Sequence, residues 1–124
     1  MKQSIRIASG QGFWGDLQTA PIGQVRDGPV DYMMMDYLAE VTMSILQKQK
    51  MKDPNLGYAK DVVPLFEVIL PDIVKKNIKV ITNGGGVNPI ACRDAIFAVA
   101  ERLKIKNLKV GVVLGDDILG EVDA

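Results

Sequence analysis

The chain of 124 residues contains no histidine. That removes the usual general base near neutral pH, the commonest zinc ligand, and any Ser-His or Cys-His pair supplied within the chain. Acid–base chemistry falls instead to carboxylates, lysine, tyrosine or the single cysteine, Cys92. One cysteine also excludes an internal disulfide and fits a reducing compartment, so the expected location is cytoplasmic. Net charge is absent, because 15 Lys and Arg oppose 15 Asp and Glu. No general electrostatic case exists for nucleic acid or a membrane surface as partner. Apolar runs are short, none approaching the ~20 residues that span a bilayer. No apolar h-region follows Lys2 and Arg6, so a secretory leader is not expected.

What remains is a balance of 48% apolar and 24% charged residues, which suits a folded globular domain and not a disordered chain. The length fits one domain, 1–124, with a single core. Ser4 to Ala8 alternates and predicts strand one. Leu17 to Arg26 predicts a helix interrupted by Pro21 and Gly23. Val30 to Met35 predicts strand two, ending at Asp36. Leu38, Val41, Thr42, Ile45 and Leu46 recur at helical spacing, which predicts a helix from Tyr37 to Gln49. Val62, Phe66, Ile69, Leu70 and Ile73 mark another, which Pro71 should kink or split. Ile78, Val80 and Ile81 form strand three. Cys92, Ile96, Val99, Ala100 and Leu103 mark a further helix, and Leu108 to Leu114 reads as strand four. Strands alternating with helices imply parallel β-α-β units in a three-layer, Rossmann-like α/β sheet. Part of a β/α barrel would show the same alternation. Ile118 to Ala124 is too short for the helix that should cover strand four. The expectation is a subunit completed by a further C-terminal part or by another copy in a homo-oligomer.

The most informative stretch is Thr82-Asn83-Gly84-Gly85-Gly86-Val87-Asn88-Pro89. Three glycines after a strand allow positive φ and close backbone approach to a ligand. Asn88 is a good N-cap and Pro89 suits the first helical position. The turn thus gathers amide donors and two asparagines at a strand end, the edge where open α/β sheets bind ligands. The amides of Gly84, Gly85 and Gly86 are candidates to hold a carboxylate, thioester oxygen or phosphate, with Asn83 and Asn88 orienting it.

Gly10-x-Gly12-x-x-Gly15 follows strand one, and Asp36 ends strand two, which is formally a dinucleotide fingerprint. Against it, Phe13 and Trp14 are bulky within the loop, Asp16 would repel phosphates at the helix N-terminus, and Pro21 spoils that helix. A plain glycine turn is the competing reading. Asp36 and Glu40 lie one helical turn apart and can face a common cleft, with Asp116 and Asp117 arriving from strand four. These carboxylates, Asp36, Glu40 and Asp116 above all, are the acid–base candidates. Several carboxylates together, with Asp117, also suit a hard cation such as Mg²⁺. Asp36 can equally be a helix N-cap, and Asp116 and Asp117 solvated loop acids. Cys92 stands in a helix first turn beside Arg93, which lowers thiol pKa, but on an apolar face, where cysteine is a small core residue.

The blocks Ser9-Gly10-x-Gly12-Phe13-Trp14-Gly15-Asp16, Asp36-Tyr37-Leu38-Ala39-Glu40-Val41-Thr42-Met43-Ser44, Asp53-Pro54-x-x-Gly57-Tyr58-Ala59, Thr82-Asn83-x-Gly85-Gly86-Val87-Asn88-Pro89 and Gly115-Asp116-Asp117 occur in this order. Together they resemble the N-terminal part of the acyclic terpene utilisation (AtuA-type) family. The resemblance implies an α/β protein of acyclic isoprenoid catabolism, acting through acyl-CoA intermediates. It also implies that this chain is the N-terminal portion of a longer family domain, and it assigns no catalytic role to a particular residue. The expected activity is a small-molecule enzyme, a lyase, hydratase or hydrolase acting on an acyl-CoA or carboxylic acid. The alternatives are a non-catalytic ligand-binding or assembly subunit, and a dinucleotide-binding module.

Overall fold

Period-two strands and helices with one apolar stripe give a β-α-β chain in the computed structural model, which describes residues 1–122. In order they are β1 (Ile7–Gln11), α1 (Thr19–Asp27), β2 (Tyr32–Met35), α2 (Glu40–Lys52), α3 (Val62–Lys76), β3 (Lys79–Thr82) and α4 (Pro89–Arg102), followed by a short 3₁₀ turn at Leu119–Glu121. The three strands form an open parallel sheet in the order β1-β2-β3. This is a Rossmann-like α/β arrangement, and its sequential order matches the first half of a doubly wound sheet.

Register decides which side chains meet. Ala8, Met33 and Val80 lie in one row and Gln11, Met35 and Thr82 in another, on the same face. Met33 and Met35 are fully buried there against Val25, Leu65, Ile69 and Leu70. Each such side chain contributes roughly 1.5–3 kcal/mol on burial. Ile7, Tyr32 and Lys79, then Ser9, Met34 and Ile81, occupy the opposite face. Ile7 is 67% exposed and Ile81 55%. Right-handed crossovers that step in one direction put their helices on one side. The described residues therefore supply one helical layer and leave the other sheet face bare, where a third layer was expected.

A bulge shifts the register of β1 between Ser9 and Gln11. Two residues apart, these side chains would ordinarily share a face. The extra residue, Gly10, turns Gln11 onto the covered side instead. A Cβ on Gly10 would sit 3.0 Å from Met33 Sδ and 3.1 Å from Pro21 Cβ, so glycine here lets α1 lie close on the sheet.

Several boundaries differ from expectation. Helix α2 starts at Glu40, because the amides of Tyr37 and Leu38 are taken by Asn83 Oδ1 and Asp36 Oδ1. Asp36 is consequently not its N-cap; Ala39 is, with the Thr42 hydroxyl 2.6 Å from its amide. Pro71 does not split α3. It lies on the exposed side of a continuous helix, opposite the buried Ile69, Leu70 and Ile73. Pro21 falls in the first turn of α1, where its missing N–H leaves no gap in the ladder.

Strand four is the main correction. Leu108 and Val110 pack against the core, but Leu108–Leu114 is not in the sheet, and among the described residues no backbone hydrogen bond engages Asn107–Asp116. The segment stands off the edge of β3 across a groove of about 1220 Å³. Leu108 and Val110 are partly buried there, whereas Val113 and Leu114 are exposed.

Candidate functional site

The glycine turn after β3 is shaped by packing. A Cβ on Gly84 would lie 2.7 Å from Val62 Cγ2 and 3.1 Å from Tyr37 Cδ2. Gly86 has φ +55°, and its Cβ would lie 2.5 Å from Leu46 Cδ1 and 2.7 Å from the Gly57 carbonyl. Asn88 caps α4 by accepting from the Ala91 amide, as its position predicts. Its Nδ2 donates to the carbonyls of Pro54 and Leu56, both at 2.8 Å. The Val87 amide donates to Gly57 O, the Ala59 amide to Gly84 O, and Lys50 Nζ to Val87 O. The loop of residues 53–59 is thereby fastened along the whole turn.

These bonds revise the anion-cradle expectation. The Gly84 amide donates to Thr82 Oγ1 and the Gly86 amide to Asn83 O. The Gly85 amide has no acceptor among the described residues. Asn88 is likewise committed to the scaffold, so although Asn83, Gly85 and Gly86 all line the groove, only the Gly85 amide of the three glycines is left unbonded among the described residues.

Asn83 joins two strand ends. Its Oδ1 accepts from the Tyr37 amide at 2.8 Å and its Nδ2 donates to Asp36 Oδ1 at 2.7 Å. The Asp36 amide in turn donates to Gln11 O, which ties in the end of β1. The three strand ends are thus stitched into one rim. The bond from Asn83, then that from the Leu38 amide, holds the Asp36 carboxyl below the usual carboxylate range. Asp36 is therefore an ionised acceptor at neutral pH and not a proton donor.

On the β1 side, Asp16 accepts from the amides of Gly12 and Leu17 at 2.9 and 2.7 Å. Those bonds lower its pKa. The Gly12 amide, which a pyrophosphate would use, already holds a carboxylate. Gly15, at φ +92°, makes the turn.

Beneath the rim lie side chains that sequence reasoning did not single out. Gln11 is 2% exposed, and neither Oε1 nor Nε2 has a partner among the described residues. Tyr37 is 1% exposed with its hydroxyl unpartnered, and Asp61 Oδ1 is buried without a donor. The remaining unpartnered atom of this kind is Gln49 Oε1, on α2. Tyr37 packs against Gly84 and adjoins Val62, the residue after Asp61. Gln18 Nε2 donates to Asp61 O, bringing the loop after β1 to the same place. Burial, then the charge of Asp61, drives the Tyr37 pKa upward. Sequence carried one signal for Gln11: a polar residue between glycines at a strand end.

Cys92 is buried, and burial pushes its thiol up to about 11, so it is a core residue. Asp116 lines the groove that Asn83 and Gly85 also line. Asp117 turns elsewhere, 3.7 Å from Lys50 Nζ and accepting from the Leu119 amide. Glu40 opens α2 and is exposed. Among the described residues no group of three or more His, Cys, Asp or Glu is placed to hold a metal ion. Of the quartet Asp36, Glu40, Asp116 and Asp117, Asp36 accepts from Asn83 and the Leu38 amide through Oδ1, while Asp117 faces Lys50 and the Leu119 amide. No helix is long and apolar enough to cross a membrane among the described residues.

A parallel β-α-β sheet with glycine turns and polar strand ends on one rim defines an α/β protein of the Rossmann-like class. Within that class, the chain belongs to the acyclic terpene utilisation family, AtuA, whose model matches residues 5–124. No curated protein and no solved structure shows a significant match.

Proposed function

We propose that this chain carries the binding rim of a small-molecule enzyme of acyclic isoprenoid catabolism, acting on a carboxylic acid or its acyl-CoA ester. Family membership supports the pathway. The observation that carries a site is the set of buried polar atoms on Gln11, Tyr37 and Asp61 without partners. Each such atom costs about 1–3 kcal/mol if left unmet, a cost folds accept where a ligand or ordered water completes the bonds. Asp36 is the carboxylate acceptor of the rim and the Gly85 amide its open donor. Hydration and hydrolysis take a proton from water, and elimination takes one from the carbon beside the carbonyl; in each a carboxylate can accept the proton while an amide steadies the oxyanion.

A second reading, a non-catalytic binding or assembly subunit, is favoured by the bare sheet face with Ile7, Met34 and Ile81 exposed. Thermal shift against acyclic isoprenoid acids and their CoA esters tests for the site. Stabilisation that Asn83→Ala and Gln11→Leu both abolish supports it, and no stabilisation by any member of the series refutes it. Turnover of a stabilising ligand then separates enzyme from binder.

A further inference from the structure

We propose that Asn83–Gly84 is a site of spontaneous deamidation, closed while the rim is bonded and open once it loosens, and that its product keeps the rim from closing again. Of the chain's asparagines, only Asn83 precedes glycine. Asn55, Asn77 and Asn107 precede Leu56, Ile78 and Leu108, and Asn88 precedes Pro89, which has no N–H to lose. Glycine carries no Cβ to hinder its amide from approaching the side chain before it. In the reaction the Gly84 amide nitrogen gives its proton to base and attacks Asn83 Cγ. A C–N bond forms, the Cγ–Nδ2 bond breaks, and Nδ2 takes a proton from water and leaves as ammonia. Water then opens the cyclic imide at either carbonyl, giving aspartate or isoaspartate.

The folded rim holds both reacting groups on other partners. The Gly84 amide donates to Thr82 Oγ1 at 3.0 Å. Asn83 Oδ1 accepts from the Tyr37 amide, and its Nδ2 donates to Asp36 Oδ1. The Gly84 carbonyl accepts from the Ala59 amide, so the glycine does not swing towards the side chain without releasing the loop of residues 53–59. Asn83 nevertheless lines the groove, so water reaches it as soon as these bonds open. The product does not restore them. Aspartate at this position sets a carboxylate oxygen against Asp36 Oδ1, where Nδ2 lay at 2.7 Å, and like charges so close repel. Isoaspartate adds a carbon to the main chain before Gly84, a residue so enclosed that a Cβ on it would lie 2.7 Å from Val62 Cγ2. Each opening of the rim thus exposes it to a one-way change.

Peptide mapping of the full chain in mildly alkaline buffer tests this, reading aspartate and isoaspartate in the tryptic peptide Val80–Arg93. Unfolded in guanidinium chloride, the chain converts Asn83 as fast as the free peptide does, with Asn55, Asn77 and Asn107 lagging. The native chain converts Asn83 at least about tenfold more slowly, because the rim bonds must open first. Thr82→Val frees the Gly84 amide and Asp36→Ala frees Nδ2, so each speeds native conversion by about two- to tenfold and leaves the unfolded rate alone. The converted chain, separated by its added negative charge, unfolds at lower denaturant than the parent at neutral pH. Native conversion as fast as that of the unfolded chain overturns the proposal, and so does an unfolded chain that spares Asn83. Unchanged native rates in both folded variants overturn the protection by the rim bonds. A converted chain with the parent's midpoint overturns the one-way change.

Discussion

Gly86→Ala isolates how tightly the rim is built. The substitution puts a Cβ on a residue at φ +55°, which costs about 1–2 kcal/mol for an L side chain. The same atom meets Leu46 Cδ1 at 2.5 Å and the Gly57 carbonyl at 2.7 Å. Leu46 is fully buried, so relief requires movement of α2 or of the clamped loop, an overpacking cost of about 1–3 kcal/mol. Alanine restricts the unfolded chain, which offsets about 0.4–1 kcal/mol. The net loss is about 2–4 kcal/mol, and at this chain length that lowers Tm by about 10 °C. Gly23→Ala is the matched control. Gly23 lies inside α1, and its Cβ would meet nothing within 4 Å, so alanine stabilises by about 0.5–1 kcal/mol. Urea unfolding followed by circular dichroism measures both. Equal midpoints for Gly86→Ala and the unmodified chain would falsify the packing account of the glycine turn.

Asp16, Asp31 and Asp36 all have folded pKa values below the ordinary one, held there by hydrogen bonds. The folded state thus binds fewer protons than the unfolded. Their stabilisation is present above about pH 4 and is lost as pH falls through the folded values, which urea midpoints against pH will show. Asn83→Asp reverses the sign locally: its carboxylate faces Asp36, so acidification stabilises this variant relative to the parent, and a parallel pair of pH profiles refutes the Asn83–Asp36 bond. Asn83→Ala strands the Tyr37 amide and costs about 1–3 kcal/mol in the same assay. Cys92, with its thiol near 11 and its side chain buried, resists iodoacetamide at neutral pH until urea unfolds the chain; rapid alkylation of the folded protein contradicts its core placement.

The β-α-β order and the Asn88–Pro89 helix start were legible in the sequence, because each rests on local pattern. Leu108–Leu114 shows why the rest was not. Its residues favour a strand, but pairing depends on what lies beside it, which no local pattern records. Asp36 looked like an N-cap because aspartate before an apolar periodic run usually is. A side chain 47 residues away took it instead. Gln11 was invisible for a related reason. Strict alternation places it with Ser9, and only the bulge at Gly10 sends it inward.

The fastening of residues 53–59 to the glycine turn bears on kinetics. Asn88 grips two carbonyls of that loop, Gly57 and Ala59 add two more ties, and Lys50 fastens the turn to α2 as well. A segment so anchored is preorganised, and its ordering entropy has been spent during folding rather than on encounter. For the ligand proposed above, the expected association on that flank is a single kinetic phase, with no slow gate preceding capture.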